Sequence, residues 1–189
     1  MKTPPPELAH RLREASPSIL RLGADPNFDE ISEMTGIARA TLYYYFSGRD
    51  DLYEFLLSSH LEEGAASFSP VEGDDPAQRL QGVLQAMIEF LASHPGVCAG
   101  ILSALGSGTK MDQVMRANER IVATPIRGIL AEGKTEGVFT FDDAHDTANA
   151  FTGAILSAVL GRVVEGRPLD QPDFPNHLAD QLVAAVLVR

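Results

Sequence analysis

The sequence predicts an all-α fold: a helix-turn-helix domain over residues 1–60, then a larger helical bundle over 61–189, about nine helices together. Three observations predict it. Apolar residues recur at a 3.6-residue period, and no segment keeps a clean alternation of strand-forming residues. Helix-capping patterns stand ahead of several of those stripes. A glycine, Gly36, separates two short periodic segments, which is the spacing a tight helix–turn–helix corner requires.

The elements follow in order. Leu8, Leu12, Ala15, Ile19 and Leu22 form the first stripe. Pro17 interrupts it, so it reads as one helix or as two, with Ser16 as cap and Pro17 at the first position of the second. After the break at Asp25-Pro26, Asn27 with Glu30 reads as a capping box. A short helix over 28–34, a turn at Gly36 and a helix over 38–46 come next. Ser47-Gly48-Arg49-Asp50 repeats the capping pattern and opens a longer helix through Leu52, Leu56 and His60. The small, polar stretch 64–75 reads as a linker. Asp75-Pro76-Ala77-Gln78 opens a helix to about residue 93, stopped by Pro95-Gly96. Further helices are predicted over 97–105 and 111–132, the latter kinked at Pro125 and closed by Gly133 and Gly137. Residues 138–141 read as a brief extended link. Thr140 with Asp143 reads as a capping box for a helix to about 165, and a last helix is predicted over 173–188.

Composition bounds the function. The chain has 189 residues, 44% hydrophobic and 22% charged, which is the balance of a globular protein. A single cysteine, Cys98, excludes an intramolecular disulfide and suits a reducing, cytoplasmic setting. No apolar signal region follows Met1. The longest uncharged apolar run near the C-terminus, 147–161, is 15 residues, short of a membrane span. The net charge of −11 argues against a surface coated in basic residues. The acidity is uneven, however: residues 1–60 carry a net −3 and residues 61–189 a net −8, while 37–49 holds two cations and no acid.

That stretch carries the functional signal. Ser32 supplies a small residue in the first helix of the corner, and Ile31, Ile37, Leu42 and Phe46 fall where they can fill the angle between the helices. The second helix then leaves Ala38, Arg39, Ala40, Thr41, Tyr43, Tyr44 and, after it, Arg49 facing outward. Small Ala38 and Ala40 admit a helix N-terminus deep into a major groove. Arg39 can reach a guanine edge or a phosphate, and Thr41 and the hydroxyls of Tyr43, Tyr44 and Tyr45 donate to phosphate oxygens without adding charge. Arg49 adds a cation at the start of the following helix. A plain structural corner would have less reason to cluster tyrosines, because buried hydroxyls need partners.

The segment Ile31-Ser-Glu-Met-Thr-Gly-Ile-Ala-Arg-Ala-Thr-Leu-Tyr-Tyr-Tyr-Phe-Ser-Gly-Arg-Asp-Asp-Leu52 resembles the DNA-binding signature of TetR-family transcriptional regulators. The likeness covers residues 28–57, and Glu136-Gly137-Val138-Phe139 resembles the family's link into its dimerisation helices. It departs from the family pattern at Ala38 (often Ser), at Tyr45 (often His) and at Pro17. The resemblance implies a DNA-binding domain followed by a ligand-binding and dimerisation domain, a near-palindromic double-stranded operator, a small-molecule effector, a homodimer and no cofactor or catalysis. For the ligand cavity it points to Met87, Phe90, Leu91, Met111, Met115 and Phe151, of types suited to irregular apolar pockets although each also reads as ordinary core. For the dimer interface it points to the small-residue stripe Gly153, Ser157 and Gly161.

Other signals carry less. Gly128-Ile-Leu-Ala-Glu-Gly-Lys-Thr135 matches the P-loop pattern but follows a predicted helix where a true P-loop follows a strand. The five histidines are isolated in sequence, so no metal set is expected. Cys98 reads as an inert buried thiol. The expected function is a ligand-responsive transcriptional repressor. The alternative is a helical small-molecule- or partner-binding protein with a vestigial helix-turn-helix, and a helical enzyme ranks last.

Overall fold

The structure, a computed structural model, describes residues 3–21, 24–65, 68, 75–107, 116 and 118–188, with the backbone alone at 102–107. Among them are nine α-helices: α1 (Pro6–Ile19), α2 (Phe28–Thr35), α3 (Arg39–Tyr45), α4 (Arg49–Gly64), α5 (Pro76–Ser93), α6 (Pro95–Ser107), α7 (Thr124–Thr135), α8 (Ala144–Glu165) and α9 (Phe174–Ala184). The one extended pairing among the described residues is an isolated bridge between Phe139 and Leu187. The helices form two compact units, Met1–Leu61 with His94–Arg116, and Glu62–Ser93 with Ala117–Arg189.

In the first unit α1 packs on α2 and on α6, and α2 on α3. Leu12, Ile19, Ile31, Leu42, Phe46, Leu52 and Leu56 are fully buried there. Helix α1 is continuous through Pro17. The proline is exposed and stands in the last turn, where its missing N–H removes a single bond at the helix end. Ser16 is not a cap; it is buried, and its hydroxyl hydrogen-bonds His60 Nε2 at 2.6 Å. The His60 ring lies 5.2 Å from that of His94, so two of the sequence-isolated histidines are neighbours. Ser47, ahead of α4, donates its backbone N–H to Asp51 at 2.9 Å, so the acid that reaches back is Asp51 and not Asp50. Pro95 opens α6 two residues earlier than the sequence predicts, in the first-turn position where a missing N–H costs nothing.

In the second unit α5 packs against α7, α8 and α9. Its start is held by Asp75, whose carboxylate accepts from the N–H groups of Ala77 and Gln78 at 2.8 and 3.1 Å. Leu80, Leu84, Ile88, Ile126, Leu130, Ile155 and Val159 are buried. A π-helical turn, Glu119–Ala123, leads into α7, with the Thr124 N–H bonding back to Glu119. This wide turn absorbs Pro125, which stands at the start of α7 and does not kink it. Helix α7 runs past Gly133, which is therefore not a helix end. The α8 cap is Asp143 rather than Thr140, accepting from His145 and Asp146 at 2.7 and 2.9 Å. Those N–H groups hold its carboxyl below the usual range, Asp146 most of all. Helix α9 stops at Ala184, short of the predicted end. The segment after it pairs with the α7–α8 link through Thr140 N–H to Val186 O (2.7 Å) and Val188 N–H to Val138 O (3.0 Å). The predicted linker falls largely outside the described residues.

Candidate nucleic-acid interface

Local chemistry fixes the corner. Asn27 accepts from the N–H groups of Asp29 and Glu30 at 2.8 and 3.1 Å, and Glu30 accepts from the Asn27 N–H at 2.7 Å, a complete capping box on α2. At the other end Gly36 sits at φ 64°, a left-handed conformation that residues with a Cβ rarely adopt. Three side chains then tie the turn. Thr35 donates to the Ile31 carbonyl at 2.6 Å and accepts from the Ile37 N–H at 3.2 Å. Ser32 donates to the Ile37 carbonyl at 2.6 Å. Arg11, from α1, places its guanidinium on the Thr35 carbonyl at 2.7 and 3.2 Å. A Cβ at residue 36 would stand 2.8 Å from that guanidinium. Ile31, Ile37, Leu42 and Phe46 are all buried and fill the angle, as their spacing predicts.

Helix α3 is thereby anchored by one side and open on the other. Ala38, Arg39 and Ala40 are exposed, Thr41, Tyr45 and Arg49 half-buried. Tyr43 and Tyr44 are more than half exposed (52% and 59%), which is high for aromatic side chains. Tyr44 and Tyr45 meet edge to face with ring centres 5.0 Å apart. Tyr43 lies against Phe28 of α2 at 4.7 Å, and that contact orients it. Ala38 caps α3 by backbone alone, with no side-chain hydrogen bond.

The two cations of this surface are not free. Arg39 Nη1 stands 2.8 and 3.0 Å from the two carboxylate oxygens of Asp29, and the guanidinium lies 5.4 Å from the Tyr43 ring centre. Hydrogen bonding to Tyr43, and then the charge of Asp29, hold the guanidinium more firmly protonated than usual. Arg49 Nη1 stands 2.6 Å from an Asp25 carboxylate oxygen and 3.2 Å from its carbonyl. Sequence reasoning missed both acids, because they lie outside the acid-free stretch and meet the arginines only across the corner. Arg11 was missed for the same reason.

In the second unit Met87, Leu91 and Phe151 are buried in the core. Phe90 is half-buried and meets Phe68 edge to face at 5.5 Å. Met111 and Met115 lie outside the described residues. A cleft of about 410 Å³ opens between α8 and α9, and its wall includes Ser157 and Gly161 but, among the described candidates, none of Met87, Phe90, Leu91 and Phe151. Arg162 borders it, stacked 3.8 Å from the Phe174 ring centre and donating to the Pro168 carbonyl at 2.6 Å. Gly153 and Ser157 are exposed. Helix α8 is long and apolar enough to cross a membrane by length and composition, yet only 33% of that apolar window is buried. Gly128–Thr135, the P-loop-like string, lies inside α7 and forms no phosphate loop. Among the described residues no group of three or more His, Cys, Asp or Glu could hold a metal.

Residues 73–159 match the family described as tetracyclin repressor-like, C-terminal domain. No curated protein matches the chain by sequence. Solved structures do match in fold. A TetR transcription regulator from Haloarcula marismortui is 22% identical with a TM-score of 0.73, covering 96% of this chain and 99% of its own. A TetR family regulator from Agrobacterium tumefaciens is also 22% identical at 0.73, covering 96% and 98%. The fatty acid degradation regulator FadR from Bacillus halodurans is 18% identical at 0.73, covering 98% and 97%.

Proposed function

We propose that the chain is a TetR-family transcriptional repressor that binds a near-palindromic DNA operator as a homodimer and releases it on binding a small molecule, a reading supported by the match of residues 73–159 to the tetracyclin repressor-like C-terminal domain. The observation that carries the DNA assignment is the outer face of α3: exposed alanines, an arginine and two exposed tyrosines on a helix whose opposite side is locked by Leu42 and Phe46. Ala38 and Ala40 admit close approach to base edges, Arg39 offers a bidentate contact, and Thr41, Tyr43, Tyr44, Tyr45 and Arg49 contact phosphates.

Helix α8 supports the dimer. Its larger side chains Phe151, Ile155, Leu156 and Val159 face the core, while Ala150, Gly153 and Ser157 are exposed and leave a small-residue face that another helix could meet closely. Gly153, Ser157 and Gly161 would let the α8 of a second copy approach closely. Met87, Phe90, Leu91, Met111, Met115 and Phe151 remain the candidate lining of the effector site. The FadR likeness suggests an acyl or similarly apolar effector as the first class to try. Coupling between effector and operator of ~1–3 kcal/mol would suffice for regulation.

The pairing of both reading-face arginines with acids favours a second reading, a binding protein with a vestigial helix-turn-helix. Genomic fragments captured on the full-length protein distinguish the two. Enrichment of one palindrome, bound with a steep negative salt dependence, is the expected result. Uniform, salt-insensitive recovery overturns the repressor assignment.

A further inference from the structure

We propose that Asp29 and Asp25 are specificity-determining residues that occupy Arg39 and Arg49 and so withhold them from the phosphates of non-cognate DNA. This rests on the DNA-reading assignment of α3. Arg39 and Arg49 are the two cations of the 37–49 stretch, and each has an acid at ion-pairing distance: Asp29 at 2.8 Å and Asp25 at 2.6 Å. Both acids come from the start of α2 or the residues just before it, so the corner brings its own counter-charges to its own reading face. The contacts are shaped to be exchangeable. Asp29 and Arg39 are each more than half exposed, and Asp25 is 71% exposed, so water competes with both pairs.

The consequence for binding follows from charge. An arginine already neutralised by a carboxylate releases no DNA counterion unless it changes partner, and a change of partner leaves the carboxylate stranded beside the sugar–phosphate backbone. Non-cognate DNA offers only phosphates in return. An operator also offers base edges, a bidentate guanine contact to Arg39 above all, and can repay the exchange. The acids therefore lower binding to all DNA but lower it most where sequence contributes nothing. Glu30 cannot share this role, since its carboxylate is committed to the capping box. Glu33, on the same helix and exposed, forms no ion pair among the described residues and serves as a control.

The test uses full-length protein and a mixed-sequence duplex of about 30 base pairs, titrated between about 50 and 200 mM salt. Asp29→Asn and Asp25→Asn should each tighten binding about two- to five-fold at the low-salt end. Each should also steepen the log–log salt slope by about 0.9 per cation released. Glu33→Gln should do less than either. In an Arg39→Ala background the gain from Asp29→Asn should fall to that of Glu33→Gln, the general effect of one fewer negative charge, because the larger part of the effect acts through that arginine. The variants exchange exposed carboxylates for isosteric amides, and far-UV circular dichroism confirms that they remain folded. Unchanged slopes in both variants, or an Asp29→Asn gain undiminished without Arg39, overturn the proposal while leaving DNA binding intact. A wild-type protein that binds neither this duplex nor captured genomic DNA overturns the DNA reading itself, and the proposal with it.

Discussion

Helices α3 and α8 present two kinds of unfinished surface. The first has 7 residues, no side-chain cap and an exposed face of tyrosines and short side chains. The second has 22 residues, an Asp143 cap, a left-handed Gly166 at its end and an apolar, small-residue surface left largely unburied. A helix as short as α3 is not stable alone, so its geometry is borrowed from Gly36, Arg11 and the buried pair Leu42 and Phe46. Helix α8 is self-sufficient in its ends but not in its face. The difference fits the roles proposed above: α3 offers exposed tyrosines and exchangeable ion pairs, as a polar, charged partner would require, and α8 offers small residues, as close approach of another helix would require.

The comparison can be broken most forcefully at Phe46. Replacing this fully buried ring by alanine should cost about 3–5 kcal/mol and unfold the scaffold of α3. The chain has no tryptophan, and its four tyrosines all lie at 43–53, so the tyrosine band of the near-ultraviolet dichroism reports that unit alone while far-ultraviolet dichroism reports all helices. The tyrosine signal of Phe46→Ala should melt first; simultaneous loss of both signals would show that the two units stand or fall together.

Alkali provides the next largest effect. Burial pushes the Cys98 thiol up from 9.0 to about 12. The folded state thus holds a proton that the unfolded state releases above pH 9, and stability falls as pH rises from there toward 12, by about 1.4 kcal/mol per pH unit. Cys98→Ala should flatten that decline relative to the wild type in denaturant titrations across the same range. Equal slopes would mean that the thiol is not shielded.

Gly153→Leu sharpens the α8 side. A Cβ there meets nothing within 4 Å, so the protomer should melt as the wild type does. If α8 pairs with a second copy, overfilling costs ~1–3 kcal/mol and self-association should weaken about tenfold or more in sedimentation equilibrium. The smallest effect is expected at Tyr43→Phe. Loss of one exposed hydroxyl should weaken DNA binding by ~0.5–1 kcal/mol across sequences, without altering preference.

How much was legible in the sequence depended on reach along the chain. The Asn27–Glu30 box, the Asp75 cap and the Gly36 turn each act over three or four residues, and pattern alone located them. The apolar plug of the corner was legible too, because helical periodicity fixes which side chains share a face. What escaped was non-local. Asp29 and Arg39 are ten residues apart and meet only once the corner angle is set. Ser16 and His60 are 44 apart, and their bond turned a presumed cap into a buried tether. The π-turn before Pro125 and the pairing of 186–188 with 138–140 likewise depend on packing that no window of sequence contains. Within the candidate sites, the outward face of α3 was legible, while the counter-charges that neutralise it were not.

Gly133 illustrates a different kind of information. A Cβ built there would collide with the ring of Phe139, which is buried and whose own N–H, like that of Val138, bonds the Gly133 carbonyl at 3.1 and 2.8 Å. Every one of the other nineteen amino acids carries that atom, so the position admits no neutral neighbour in sequence space. Among the described residues a Cβ at Gly128, Gly153 or Gly161 would meet nothing within 4 Å, so folding of the protomer alone leaves these positions free to vary. In a saturation library selected for folded protein, 133 should therefore be a near-invariant column among freely varying glycines, a mark of steric intolerance that selection on DNA or effector binding would not by itself produce.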